Sequence, residues 1–183
     1  TTAGFRPMLY FDGTNDALAT PAIDWTGTDS LMALVNVLKV SDGAAGIIYE
    51  TTTDAVNNNG AFYITAPNSA SATYGLCSRG TVAAAVGVAG YAAPNLACLR
   101  LVTDISADSA VLYRNGSVVI NRTTDQGTGN FVSSPLYIGA RAGTGVLFKG
   151  YMIPGPVLDT TGIPTALLDQ MAREQAALWG VAI

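Results

Sequence analysis

The chain has 183 residues, 49% hydrophobic and only 12% charged, with 13 acidic against 9 basic side chains and a net charge of −4. This composition excludes a disordered segment, which needs low hydropathy and high charge, and the lack of any basic cluster excludes nucleic acid as a partner. The longest apolar run, Leu31 to Val40, is far short of the ~20 residues that cross a bilayer and contains Asn36 and Lys39, so membrane insertion is not expected either.

The length suits one domain, residues 1–183, with a single core. The first residue is Thr and no leader-like segment opens the sequence, which reads as a mature product or a piece of a longer chain. So many apolar residues with so few charges predict outer surface covered by a neighbour, hence a homo-oligomer.

In chain order, Met8 to Phe11 is a short apolar run closed by Asp12-Gly13, and Leu31 to Val40 is a longer one opened by Gly27-Thr28-Asp29. Further strands are predicted at Gly46 to Glu50, Ala61 to Ala66, Thr73 to Ser78, Thr81 to Val88, Cys98 to Ile105 and Ala110 to Arg114, separated by Gly, Asn, Pro and Asp. Ala83-Ala84-Ala85 continues into Val86 and Val88 and stays within a strand. Asn115-Gly116 between two β-branched arms, Val111 to Arg114 and Ser117 to Ile120, predicts a hairpin with a type I′ turn. Pro135 to Ala140 and Val146 to Val157 add two strands, and Pro154-Gly155-Pro156 marks an edge or a bulge in the second. Leu31, Ala33, Val35 and Val37 form one side of the long run, while Met32, Leu34 and Leu38 make the other nearly as apolar, so both faces must be covered. A partner is the expected cover; the terminal helix or a long loop is the alternative.

One stretch reads as helix, at about 164–179: Leu167, Leu168, Met171, Ala172, Gln175 and Leu178 follow the 3.6 period, with Thr165 as N-cap and Gly180 as stop. Many short strands and one terminal helix predict an all-β fold, an antiparallel two-sheet sandwich with one C-terminal α-helix. Cys77 and Cys98, the two cysteines, sit in apolar strand-like surroundings and read as reduced, buried thiols.

Catalysis fails on the residue inventory. With no histidine, nucleophilic triads and common zinc sites lack their imidazole. Retaining glycoside hydrolysis needs two carboxylates ~5–5.5 Å apart. The two glutamates, Glu50 and Glu174, lie in no such motif, and Asp104 with Asp108 or Asp12 with Asp16 fall at turns where Asp is expected anyway. Gly139 to Gly145 is no phosphate loop, lacking a following Lys-Ser/Thr and opening no helix.

Four segments carry a resemblance: Leu9 to Leu18 with its aromatic-Asp-Gly opening, the Leu-Tyr-Arg-Asn-Gly hairpin at 112–116, Leu-Tyr-Ile-Gly at 136–139, and Phe-Lys-Gly-Tyr-Met-Ile at 148–153. Together they resemble laminin-G-like jelly rolls of the concanavalin A-like lectin/glucanase superfamily. Where that family continues into Asp-Glu-Val, this chain has Pro154-Gly155-Pro156-Val157. Arg6-Pro7 before the opening strand and Trp179-Gly180 after the helix resemble versions of the domain in bacteriophage structural proteins. The resemblance implies a non-catalytic virion protein such as a tail fibre, spike or head decoration, made in the host cytoplasm and extracellular after release. Its partners would be copies of itself, other virion proteins or a cell-surface glycan.

Jelly rolls of this kind often hold calcium, and Asp12, Asn15 and Asp16 offer three hard donors that a distant Asp159 could complete. The favoured reading is a turn in which these side chains cap backbone groups, with no cofactor. A carbohydrate site needs an aromatic face beside amides or guanidinium groups. Trp25, Tyr91, Asn95 and Arg79 are the candidates, with Asn57, Asn58 and Asn59 on another loop. The plainer alternatives are a core lid for Trp25, a rim residue for Tyr91 and a solvated loop for the Asn run. Asn115 and Asn121 match glycosylation sequons, which a phage-like origin leaves silent. A glycan-binding module and a virion-assembly module both remain open.

Overall fold

The computed structural model describes residues 7–82 and 84–183. The elements in chain order are β1 (Leu9–Asp12), β2 (Leu18–Ala19), β3 (Ser30–Lys39), β4 (Ile47–Thr51), β5 (Ala61–Thr65), β6 (Thr73–Arg79), β7 (Ala84–Gly90), β8 (Asn95–Asp104), β9 (Ser109–Arg114), β10 (Ser117–Arg122), β11 (Leu136–Ile138), β12 (Lys149–Asp159) and α1 (Thr165–Ala177). Sheet A runs β1-β12-β3-β8-β9-β10 and sheet B runs β2-β11-β4-β5-β6-β7, with antiparallel pairing throughout. This is the antiparallel two-sheet sandwich with one C-terminal helix that the pattern of strands predicts, in the jelly-roll form that the resemblance implies. Arg6 and Ala83 lie outside the described residues.

The core lies between the sheets because alternate residues face inward. Ala33, Val35 and Val37 of β3 and Leu99 and Leu101 of β8 meet Phe62 and Ile64 of β5 and Tyr74 and Leu76 of β6. Asn115 and Gly116 adopt φ of +49° and +77°, the type I′ geometry their identities favour. The Pro154-Gly155-Pro156 segment is a bulge, the register of β12 on β3 slipping between Pro154 and Val157. β12 is nevertheless an interior strand. The bulge has a task in the core: Gly155 N–H donates to the Tyr49 hydroxyl at 3.0 Å, and that hydroxyl donates to Gly155 O at 3.2 Å. A fully buried phenol from the opposite sheet is thereby satisfied.

Helix α1 lies on the outer face of sheet A, where Leu168 and Ala172 pack on Met32 and Leu34. The missing alternation in Leu31 to Val40 does mean that both faces are covered, but the chain's own helix provides the cover where a partner was expected. Asn36, the polar break in that face, is buried and donates from Nδ2 to Gln175 O at 2.5 Å, while Gln175 Nε2 donates to Ile153 O at 3.1 Å.

Several local expectations are corrected. Pro164, not Thr165, is the N-cap, and no side chain caps the helix there. Leu167 is exposed, since the buried stripe is Leu168, Ala172, Gln175 and Ala176. At the other end Gly180, at φ +65°, closes the helix as expected, with Gly180 N–H on Ala177 O and Val181 N–H on Ala176 O. The two-residue strand β2 was not foreseen, and β7 starts at Ala84 rather than Thr81. Cys77 and Cys98 are free and buried, one on each sheet, with Cys77 near Ala55 of the loop over sheet B and Cys98 near Ala172 of α1. Among the described residues no helix is long and apolar enough to cross a membrane.

Candidate functional site

The fold divides the expected sugar-binding positions between the two ends of the sandwich. β3 runs from Ser30 to Lys39, roughly 30 Å at the rise of a strand. Trp25 belongs to the Ser30 end, where its carbonyl accepts from Thr28 N–H. It is buried in the core cluster, so its ring is a lid on the core and offers no free face. Arg79 lies at the end of β6 away from Tyr74 and is spent on the 52–60 loop, donating to Asn59 Oδ1 at 3.2 Å and to Val56 O at 2.7 Å. Within that loop Asn57 bonds Asp54 and Asn58 bonds Thr53.

Tyr91 and Asn95 do come together at the Lys39 end, in the mouth between the sheets. The Lys39 ammonium, fully buried, donates to Asp42 Oδ1 at 2.5 Å and to Tyr91 O at 2.6 Å, which fixes the turn carrying Tyr91. Partial burial works to raise the Asp42 carboxyl, but the Ala93 N–H and the Lys39 ammonium outweigh it and hold the group below its ordinary value. Tyr74, whose phenol burial drives well above its usual range, donates to Asn95 Oδ1 at 2.9 Å. Arg114 then joins the cluster: its Nε donates to the same Asn95 oxygen at 3.2 Å and its guanidinium lies 4.2 Å over the Tyr91 ring. Among the described residues the Asn95 amide nitrogen, Arg114 Nη1 and the Tyr91 hydroxyl have no partner in the chain. The result is a fixed, half-exposed set of donors around an aromatic ring. Arg114 was not foreseen, although its place beside the Asn115-Gly116 turn was a usable signal.

The calcium candidates are occupied otherwise. Asp16 Oδ2 accepts from Asp12 N–H at 2.8 Å, and Asp12 Oδ1 accepts from Thr14 N–H at 2.6 Å and Asn15 N–H at 3.4 Å. Asp159 cannot complete that set, because Asp12 pairs with Lys149 at the other end of β12, roughly 30 Å away by strand rise. Asp159 accepts instead from Thr161 N–H and from Thr28 Oγ1, which, Thr161 foremost, hold its carboxyl below its ordinary value. Among the described residues no three His, Cys, Asp or Glu side chains gather as a metal site. Of the glutamates, Glu50 is buried in an ion pair on sheet B and Glu174 lies on α1 beside Gln170.

Two surfaces fell outside the expected set. Across the outer face of sheet A, the pairing registers Tyr10, Tyr151, Leu38 and Leu96 into one row over four strands. Tyr10 is 52% and Leu96 40% exposed, and the two tyrosine rings are 4.9 Å apart. Between α1 and the β8–β9 face lies a groove of about 210 Å³, walled by Cys98, Arg100, Tyr113, Gly116, Asp169 and Arg173. An Arg inside the apolar run Cys98-Leu99-Arg100-Leu101 was the signal for it.

No family model and no curated protein matches the chain in sequence. Solved structures do match in fold. A native heptameric SAP-like pentraxin from Limulus polyphemus gives a TM-score of 0.64 at 13% identity, covering 92% of this chain and 81% of that one. The CBM40 of the Ruminococcus gnavus IT-sialidase, bound to alpha2,3 sialyllactose, gives 0.54 at 14% identity, covering 86% and 98%. Mouse laminin alpha1 domains LG4-5 give 0.59 at 12% identity, with this chain covering 38% of that one. The chain therefore has the jelly-roll fold that these domains share. At these identities the likeness establishes the fold and nothing beyond it.

Proposed function

We propose that this chain is a non-catalytic carbohydrate-binding domain of a bacteriophage-type virion protein, a tail fibre or spike, whose Tyr91–Asn95–Arg114 rim meets a cell-surface glycan. The observation that carries the reading is the fixed rim itself. Sugar hydroxyls come in neighbouring pairs that a guanidinium and an amide can bridge, and here the amide is held by the buried Tyr74 and the guanidinium by that amide and the Tyr91 ring before any ligand arrives. A carbohydrate-binding module solved with sialyllactose among the similar folds supports it. The test is a glycan array followed by calorimetry on the best binder. We expect Arg114→Ala and Asn95→Ala each to weaken binding about ten-fold, the loss of roughly 1.4 kcal/mol from a charge-assisted hydrogen bond at Arg114 and from an amide hydrogen bond at Asn95. An array without binders, or affinities unchanged in both variants, would overturn the assignment.

A virion-assembly domain is the second reading, favoured by the exposed Tyr10–Tyr151–Leu38–Leu96 row and by the heptameric pentraxin among the similar folds. Light scattering separates the two. If the row joins copies, Tyr10→Lys with Leu96→Lys converts an oligomer into folded monomers. A wild type that is monomeric at high concentration removes this reading.

A further inference from the structure

The groove between α1 and β8–β9 is set apart from the rim, on the outer face of sheet A. Its charge is unusual for this chain. Arg100 and Arg173 face it against one side-chain carboxylate, Asp169, so the side chains of the groove are net positive on a protein of net charge −4. Arg100 is held rigidly: Nη1 donates to Asp169 Oδ1 at 2.5 Å, and the guanidinium lies 4.1 Å over the Tyr113 ring. Only that one of its donors is bonded among the described residues, and its Nε is buried without a partner. Arg173, one helical turn after Asp169, is exposed and makes no ion pair among the described residues. Asp169 and Arg173 project from one helix face at i and i+4, and Arg100 and Tyr113 are registered opposite each other on β8 and β9. The Cys98 thiol in the wall is pushed up to about 11 by burial, so it stays neutral and does not oppose an anion.

We propose that this groove is a second binding site, for a small ligand bearing an oxyanion, a carboxylate or a phosphate group. Arg100 and Arg173 grip the anion, and the Tyr113 edge and Ile183, which packs over Gly116, flank the remainder of the ligand. At about 210 Å³ the groove is smaller than the ~300–1,000 Å³ of drug-sized pockets, so it takes a group of monosaccharide scale. The guanidinium forks match both anions.

Calorimetry with three probes tests this: inorganic phosphate, glucuronate, and neutral glucose as control. Saturable binding of phosphate or glucuronate is expected, with the tighter of the two naming the source of the anion and glucose giving none. Arg173→Ala should weaken that binding about ten-fold or more, as the loss of a charge-assisted hydrogen bond implies, and added salt should weaken it further. Because the exposed Arg173 makes no side-chain hydrogen bond or ion pair among the described residues, the variant is expected to keep its fold, which thermal melting verifies. Arg114→Ala, at the rim, should leave anion binding unchanged, so failure of the glycan reading and failure of this one are separable. No saturable binding of either anion, or equal binding by Arg173→Ala, would overturn the assignment.

Discussion

Helix α1 and the 52–60 loop each cover the outer face of a sheet whose strands are apolar on both sides, and they hold their places by different chemistry. Under α1 the seam is aliphatic: Met32 and Leu34 from β3, Leu168 and Ala172 from the helix. Under the loop, Ala55 and Val56 meet Ile47, Ala61, Tyr63 and Cys77, but a charge anchors them. Glu50, fully buried, accepts from Ala55 N–H at 2.9 Å and from Arg141 Nε at 3.0 Å, and Arg141 reaches Asp54 at 3.7 Å. A helix satisfies its own backbone and needs only an apolar stripe to dock. A loop brings unpaired N–H groups to a buried face, and a buried acceptor must meet them.

The largest expected effect is on the helix. Leu168→Asp places an uncompensated charge in the aliphatic seam and should cost about 3 kcal/mol or more, read by urea denaturation. Leu168→Ala should cost about 2–3 kcal/mol by lost burial, the lower part of the range for leucine truncation because Ala172 and Met171 can settle inward. Unchanged stability in both would make α1 a detached arm.

Next comes the loop, where the two partners of one ion pair should behave unequally. Arg141→Ala leaves Glu50 charged and sealed from water, for an expected loss of about 2–4 kcal/mol at neutral pH. Glu50→Gln leaves Arg141, whose side chain is 28% exposed and still faces Asp54, and should cost under about 1 kcal/mol. Equal losses in the two variants would mean that the pair, rather than the burial of Glu50, sets the energy.

That asymmetry has a pH signature of definite sign. Burial raises the Glu50 carboxyl above its ordinary value despite Arg141 and the Ala55 N–H. The folded state therefore binds the proton more tightly, and the stability this contributes is full below the ordinary glutamate value and is lost as pH rises through the raised one. Asp42 and Asp54 are lowered, against the pull of burial, by backbone N–H groups, by Asn57 for Asp54 and by the Lys39 and Arg141 charges. Their contribution runs the other way, present above the ordinary aspartate value and lost as pH falls. The deficit of Arg141→Ala should therefore shrink from neutrality down to the carboxylate range, while that of Leu168→Ala stays level. A level deficit for Arg141→Ala would refute the charged, buried Glu50.

The same contrast explains what could be read from the residues. The helix was legible because its stripe repeats within 13 residues, and the need for a cover over Leu31 to Val40 was legible from the missing alternation. Which body supplies the cover was not, since periodicity says nothing of contacts between segments more than 130 residues apart. Glu50 and Arg141 are 91 residues apart and belong to no motif. The one local hint was a glutamate closing the apolar strand Ile47-Ile48-Tyr49. Tyr91 and Asn95 lie together because residues four apart in a rim turn stay together in any fold. Trp25 and Arg79 failed to join them because only the registers of β3 and β6 decide which end of the sandwich a loop occupies.

The smallest expected effect resolves the two covers by their local opening. Cys77 lies under the loop and Cys98 under the helix, and burial pushes their thiols up to about 12 and about 11, so neither reacts appreciably while covered. Labelling by a thiol reagent at mildly alkaline pH then reports how often each cover lifts. Arg141→Ala should speed Cys77 labelling by about 5–30-fold, the factor if lifting the loop alone recovers about 1–2 kcal/mol of the full loss, with Cys98 unchanged. Leu168→Ala should do the reverse, exposing Cys98 and sparing Cys77. If either substitution accelerates both thiols equally, the covers do not open separately, and the helix and the loop belong to one cooperative unit in spite of their different chemistry.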